Sequence, residues 1–130
     1  METRLKLTVG RELPVEIPQG YYMCFSFTTQ AANKVYIKLY DETTVYLDEE
    51  RQSTEPAPMV TGDGYVQGEA MRLKLDIPAS SNIEIRKNSW DITGPGGEVI
   101  ARTMVFLVED YIDYDYNDVI LTITAWKEKG

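Results

Sequence analysis

The chain has 130 residues, 43% of them hydrophobic, with 21 acidic against 13 basic side chains, no histidine and a formal net charge of −8. That length suffices to bury a core without disulfide staples, so one domain spanning residues 1–130 is expected. The acid excess excludes nucleic acid and insertion into an anionic membrane, both of which call for basic or long apolar segments, and leaves metal cations as the natural charged partner. Without histidine, Ser-His-Asp, Cys-His and His-based zinc or iron sites are ruled out.

The N-terminal stretch METRLKLTVG alternates charged and apolar residues and has no apolar run of signal-peptide type. It predicts cytoplasmic synthesis without a Sec signal, with release or cell-surface display by another route left open. Period-2 alternation then recurs along the chain. Leu5, Leu7 and Val9, then Val35, Ile37 and Leu39, then Met71, Leu73, Leu75 and Ile77 are each interleaved with polar residues, as in half-buried strands. Further strands are expected at Val15 to Ile17, Tyr21 to Phe27, Thr44 to Leu47, Ile83 to Ile85, Val99 to Val108 and Val119 to Trp126. They are punctuated by Pro18-Gln19-Gly20, Pro78 to Asn82 and Gly94-Pro95-Gly96-Gly97. The pattern is all-β, an antiparallel β-sandwich of about eight to ten strands.

Three local expectations follow. The only cysteine, Cys24 in YYMCFSF, reads as a buried structural thiol. Trp90 and Trp126 read as core residues. The stretch Glu49 to Gly64, with two prolines and two glycines, reads as a long surface loop.

Residues 109–118, EDYIDYDYND, place five acids in ten residues without a Lys or Arg. Two carboxylates about 4 Å apart repel by roughly 1 kcal/mol in water and roughly 4 kcal/mol at an effective dielectric near 20. A bound cation resolves that repulsion. Hard cations such as calcium take carboxylate, amide and backbone oxygens, and Asp113, Asp115, Asn117 and Asp118 offer them in close succession behind Glu109 and Asp110. The D-x-D-x-N start resembles an EF-hand loop but lacks its glycine at the sixth position, which is Asp118, and its glutamate at the twelfth, which is Thr124. Apolar strand-like runs flank it instead of helices. The charges of Glu109, Asp113, Asp115 and Asp118 would leave a single Ca2+ under-neutralised, whereas two calcium ions sharing carboxylates balance them better.

These same residues resemble the signature E-D-x-x-D-x-D-Y-N-D of the bacterial two-calcium fucose- and mannose-binding lectins, followed by a final apolar strand with Trp and a terminal Gly. LPVEIPQGYYMCFSF and TTQAANKVYIKLYDE are similar to that family's opening strands, whereas residues 45–97 give no clear alignment. The resemblance implies two adjacent Ca2+ ions that bind vicinal sugar hydroxyls directly. Carried onto this chain, one ion takes Glu109, Asp113, Asp115 and Asp118, and the other Asp115, Asn117 and Asp118. It also implies a backbone carbonyl at Gln30, where the family has Asn, and the carboxylate of Gly130 from a partner subunit, hence a homodimer or tetramer. Gly130 lies twelve residues after Asp118, farther than in the family, through a tail that departs from its pattern. Sugar contacts carry over to Asp110, Ala31, Ala32, Asp113, Asp115 and Asp118; the two alanines are more similar to mannose-preferring than to serine-bearing fucose-preferring members.

Two other classes compete with this expectation. A calcium-stabilised structural or adhesion sandwich would share the metal and lack the sugar. A glycosidase would need a carboxyl of raised pKa, and clustered acids held ionised by metal do not supply one. Tyr111, Tyr114 and Tyr116 are expected to pack on the sheet rather than on sugar.

Overall fold

The computed structural model describes residues 2–7, 12–31, 33–52, 59–79, 83–109 and 119–128, the first of these runs by its backbone alone. The strands are β1 (Glu2–Leu7), β2 (Glu12–Pro14), β3 (Tyr22–Thr29), β4 (Val35–Tyr40) and β5 (Val45–Arg51), then β6 (Met59–Tyr65), β7 (Arg72–Asp76), β8 (Ile83–Thr93), β9 (Val99–Glu109) and β10 (Val119–Trp126). No helix occurs among the described residues. Six strands form one sheet in the order β1-β8-β9-β10-β3-β6, and four form the other in the order β2-β7-β4-β5. Every pairing is antiparallel.

Alternation along each strand decides what the two sheets enclose. From the larger sheet Met23, Phe25 and Phe27, Met104, Phe106 and Val108, and Leu121 and Ile123 are buried; from the smaller come Val35, Ile37, Leu39, Leu73 and Leu75. Each such side chain contributes about 1.5–3 kcal/mol on leaving water, against the chain entropy lost on folding. Gly20 adopts φ +88° in the Pro18-Gln19-Gly20-Tyr21 turn, closed by the Tyr21 N–H on the Pro18 carbonyl at 3.3 Å. Glycine meets that left-handed requirement without a Cβ clash.

Four expectations are corrected. The stretch 49–64 is not one loop: β5 runs through Arg51, and β6 begins at Met59 and pairs with β3 from Met59↔Thr28 to Tyr65↔Tyr22. Gly62 lies against the Phe25 ring, where an added Cβ would come within 2.6 Å of Cζ. A glycine that weakens strand propensity therefore makes room for a core aromatic. Val15 to Ile17 is buried at Val15 and Ile17 but lies outside the strand ladders, its Val15 N–H held by the Met71 carbonyl at 2.9 Å, and Pro18 ends the run. Cys24 is exposed, because Met23, Phe25 and Phe27 take the inward positions of β3. Trp90 and Trp126 are also outward, at 53% and 38% exposure, by the same parity on β8 and β10.

One buried carboxylate ties the smaller sheet to the chain that follows β6. Asp41, at 6% exposure beyond β4, accepts at Oδ1 from the Thr43 N–H (2.8 Å), the Thr43 hydroxyl (2.9 Å) and the Thr44 N–H (2.8 Å). Its Oδ2 accepts from the Tyr46 hydroxyl and from the Gly68 N–H at 2.8 Å. Burial pushes the Asp41 carboxyl upward, but the donors from Tyr46, Thr43 and Gly68 outweigh it and hold the pKa at about 2. Next to it the Glu42 carboxylate accepts from the N–H groups of Glu69 and Ala70.

The folded-state pKa of Asp41 lies below its unfolded value of 3.8. The stability it confers, about 2 kcal/mol, is therefore complete above that value and is lost as pH falls toward 2. Asp41→Ala should lower the unfolding free energy by about 2–4 kcal/mol at neutral pH. In urea unfolding at stepped pH, the gap between wild type and Asp41→Ala should narrow steadily below about pH 4.

Candidate functional site

Register places the strand ends that flank the acidic segment. Val108 pairs with Val119, and Val119 pairs with Thr29, so β9, β10 and β3 end side by side. Adjacent strands lie about 4.8 Å apart, so these three chain ends span roughly 10 Å. Residues 110–118 join β9 to β10 at that end, and Gln30 and Ala31 leave β3 there. Glu109, Gln30 and Ala31 thus lie at one end of the larger sheet although about eighty residues separate them.

Glu109 closes β9 and is 3% exposed. Its cross-strand partner is Glu84, near the start of β8. Side chains directly opposite on antiparallel strands have Cβ atoms about 5 Å apart, and like charges there are destabilising. Glu84 is the residue at this end that sequence reasoning missed. The alternation of Ile83, Glu84 and Ile85 shows that it faces away from the core, but only strand order shows that it faces Glu109.

Gln30 is exposed, as a residue offering its backbone oxygen to a ligand needs to be. The turn around it is fixed from below. Thr29 is fully buried, and its hydroxyl accepts the Ala31 N–H at 3.0 Å, a side-chain turn that sets the path of the chain through Gln30. Ala31 is 1% exposed and belongs to the core cluster. Its methyl therefore packs inward, which removes it as an open apolar contact for a ring. Asp110, Asp113, Asp115, Asn117, Asp118, Ala32 and Gly130, with Tyr111, Tyr114 and Tyr116, lie outside the described residues. Among the described residues no group of three or more acidic or cysteine side chains is gathered at one point.

The donor set at this end suits a hard cation. It is entirely oxygen, one of its carboxylates is buried opposite another, and no cationic side chain occurs within 109–118 to neutralise it.

No family model and no curated protein sequence matches the chain. Solved structures do: the fold is the β-sandwich of bacterial mannose- and fucose-binding lectins, the family that the 109–118 motif resembles. The C-terminal domain of BC2L-C lectin from Burkholderia cenocepacia matches all of this chain over its own full length, with a TM-score of 0.67 and 18% identity. The high-affinity mannose-binding lectin of Ralstonia solanacearum matches 88% of this chain and 94% of its own at TM-score 0.63 and 17% identity. Lectin CV2L of Chromobacterium violaceum, solved with alpha-methyl-fucoside, matches the same 88% and 94% at 0.61 and 15%.

Thr29→Val keeps the shape of the side chain and deletes the acceptor of the Ala31 N–H. It should cost about 1–2 kcal/mol of stability. Denaturant titration of the two proteins measures this, and an unchanged midpoint would show that the turn holds without the hydroxyl.

Proposed function

We propose that the protein is a calcium-dependent lectin, not an enzyme. Its two Ca2+ ions would be held by Glu109, Asp113, Asp115, Asn117 and Asp118 with the Gln30 carbonyl, and vicinal hydroxyls of a mannose- or fucose-type sugar would complete their coordination. The observation that supports this reading is that Glu109, where the acidic motif begins, and Gln30 lie at the same end of a sandwich whose fold is that of sugar-binding lectins. When bound, the metal would supply the attraction, its bound water giving way to sugar hydroxyls with little loss of hydrogen bonding, so a shallow site would suffice.

This chain's own residues have three tasks. The carboxylates from 109 to 118 hold the charge, the Thr29 hydroxyl orients the backbone at Gln30, and Asp110 accepts a sugar hydroxyl beside the metals. Mannose is favoured over fucose because the pair after Gln30 is Ala31-Ala32, although the inward methyl of Ala31 leaves that choice to Ala32 and the backbone. Gly130 would serve a second copy of the chain. Glu128 stands beyond Trp126, at the end of β10 remote from Glu109, which suits a role for Gly130 toward a second copy rather than its own chain. Such a role would call for a homodimer or tetramer. A sandwich that uses calcium only to stiffen the segment is the second reading, supported by the tail that departs from the family pattern.

Titration calorimetry with methyl mannoside and methyl fucoside, in excess calcium and again in chelator, tests the proposal. Binding in calcium alone is the expected outcome; calcium uptake with no sugar binding would move the assignment to the structural sandwich. Asp115→Ala should abolish sugar binding and lower the melting temperature measured in calcium, and an unchanged calcium titration would remove the two-metal arrangement. A few residues added after Gly130 should weaken sugar binding, and equal affinity would exclude the terminal carboxylate as a ligand.

A further inference from the structure

The two outer faces of the sandwich differ in charge. On the larger sheet the outward positions of β9, β10 and β3 form four ladder rows of three, from Leu107-Ile120-Thr28 at the end where β9 closes on Glu109 to Ala101-Trp126-Tyr22 at the other. Small hydroxyl residues, one valine and Cys24 fill the rows between, and none of the twelve positions carries a charge. In a chain with 26% charged residues, about three charges belong there at average composition, and more on a face left to water. The smaller sheet shows the contrast. On its middle strands β7 and β4 the outward residues Arg72, Lys74, Asp76 and Lys38 are charged, and Tyr36 and Tyr40 alone are not. Beside the uncharged rows, Met59 and Tyr65 on β6 and Trp90 and Ile92 on β8 are exposed, and charge returns on these flanking strands at Asp63 and Arg86, as at the rim of an interface. The five strands present a face roughly 25 Å square, about 600 Å² in projection, the scale of the ~800 Å² that each partner gives to a stable interface.

We infer that a second copy of the chain covers this face, its strands reversed over those of the first, and that calcium uptake and dimerisation are one linked equilibrium. A sheet face of this size without charge marks an interaction surface, and its pattern is complementary to itself. A two-fold axis running across the strands sets β10 over β10 and β3 over β3, so the row Leu107-Ile120-Thr28 meets the second copy's row Ala101-Trp126-Tyr22 at both ends of the interface. Aliphatic side chains then fall on aromatic ones twice over. In the middle, Thr122 and Ser26 face Thr124 and Cys24, small polar groups that can both donate and accept. On β6 the Asp63 carboxylate, already held by the Tyr22 hydroxyl, falls opposite Thr61 rather than another acid. The reversed arrangement also lays the Trp126 end of β10, beyond which the chain continues to Gly130, over the end at which the second copy's β9 closes on Glu109. That is where the lectin reading needs a carboxylate from a partner, and the calcium linkage rests on that reading. Two Ca2+ bring four positive charges against the net −8 of each copy and so weaken the repulsion between copies. A carboxylate supplied across the interface completes a metal site only in the dimer, so calcium strengthens dimerisation by the same factor by which dimerisation strengthens calcium binding.

Sedimentation of the intact chain across a series of concentrations, in excess calcium and in excess chelator, tests both parts. A species of twice 14.8 kDa is expected in calcium, with a dimer dissociation constant about tenfold or more weaker in chelator. Thr122→Glu puts a carboxylate in the middle of the face and leaves the inward side of β10 untouched; it should keep the circular dichroism of the folded chain and sediment at 14.8 kDa in calcium. Tyr36→Glu adds the same charge on the smaller sheet and should leave the dimer intact. Cys24, exposed on the single chain, should react with a thiol reagent more slowly in the calcium-loaded dimer than in Thr122→Glu. A mass of 14.8 kDa in calcium at every concentration, or a dimer that survives Thr122→Glu, would overturn the assignment of the face, and equal dimerisation in calcium and in chelator would overturn the linkage. The two readings fail separately: a monomer that binds calcium and methyl mannoside in the calorimeter keeps the lectin and removes this inference.

Discussion

Like-charge repulsion among the five acids of residues 109–118 is the constraint that the sequence sets where β9 leads into β10. A flexible acidic tail relieves such repulsion by spreading, but these acids are anchored on both sides. β9 and β10 are joined by eight ladder rows, from Val108↔Val119 to Ala101↔Trp126, and their inward residues from Met104 to Val108 and from Val119 to Ala125 are buried. Separating the two strands would expose that apolar surface, a cost of many times the roughly 1–4 kcal/mol of a single carboxylate pair. The ladder therefore fixes the two flanks of the segment beside each other, with Glu84 opposite Glu109. No basic side chain occurs within 109–118 itself.

The regular strands were legible because apolar and polar residues alternate there without ambiguity. The prediction for Val119 to Trp126 coincides with β10, and that for Val99 to Val108 falls one residue short of the end of β9. β6 was not legible, since Gly62, Asp63 and Gly64 interrupt its β-propensity; its place is set by pairing with β3 and by the need for room over Phe25. Cys24 failed for a different reason. In YYMCFSF nearly every position is apolar, so hydropathy cannot say which alternate set points inward, and the side is chosen by packing against the other sheet. For Trp126 the answer was present: Val119, Leu121, Ile123 and Ala125 share one parity, and the tryptophan has the other.

For the candidate site, sequence spacing carried the donor set of 109–118, and a resemblance carried its connection to Gln30. Strand order sets β3 against β10 and so brings Gln30 to the end of the sheet at which Glu109 closes β9. The inward turn of Ala31 was invisible for a related reason. An alanine next to a buried threonine can face either way until the Thr29 hydroxyl captures the Ala31 N–H and fixes the path. Identities of 15–18% with lectins of the same fold are understandable on these terms. A sandwich core asks for apolar residues at alternate positions and tolerates exchange among them, so the architecture can persist while most side chains differ.

The two ends of the sandwich use carboxylates in opposite ways, and donor supply separates them. Asp41 is buried, yet five groups from Thr43, Thr44, Tyr46 and Gly68 donate to it, and its pKa falls to about 2. A carboxylate so served is complete, binds nothing further and holds the fold together. The segment 109–118 contains five acids and no basic side chain, and its other side chains offer only three tyrosine hydroxyls and one amide as donors. Five acids with so few side-chain donors between two paired strands are the composition that the proposed calcium sites would balance.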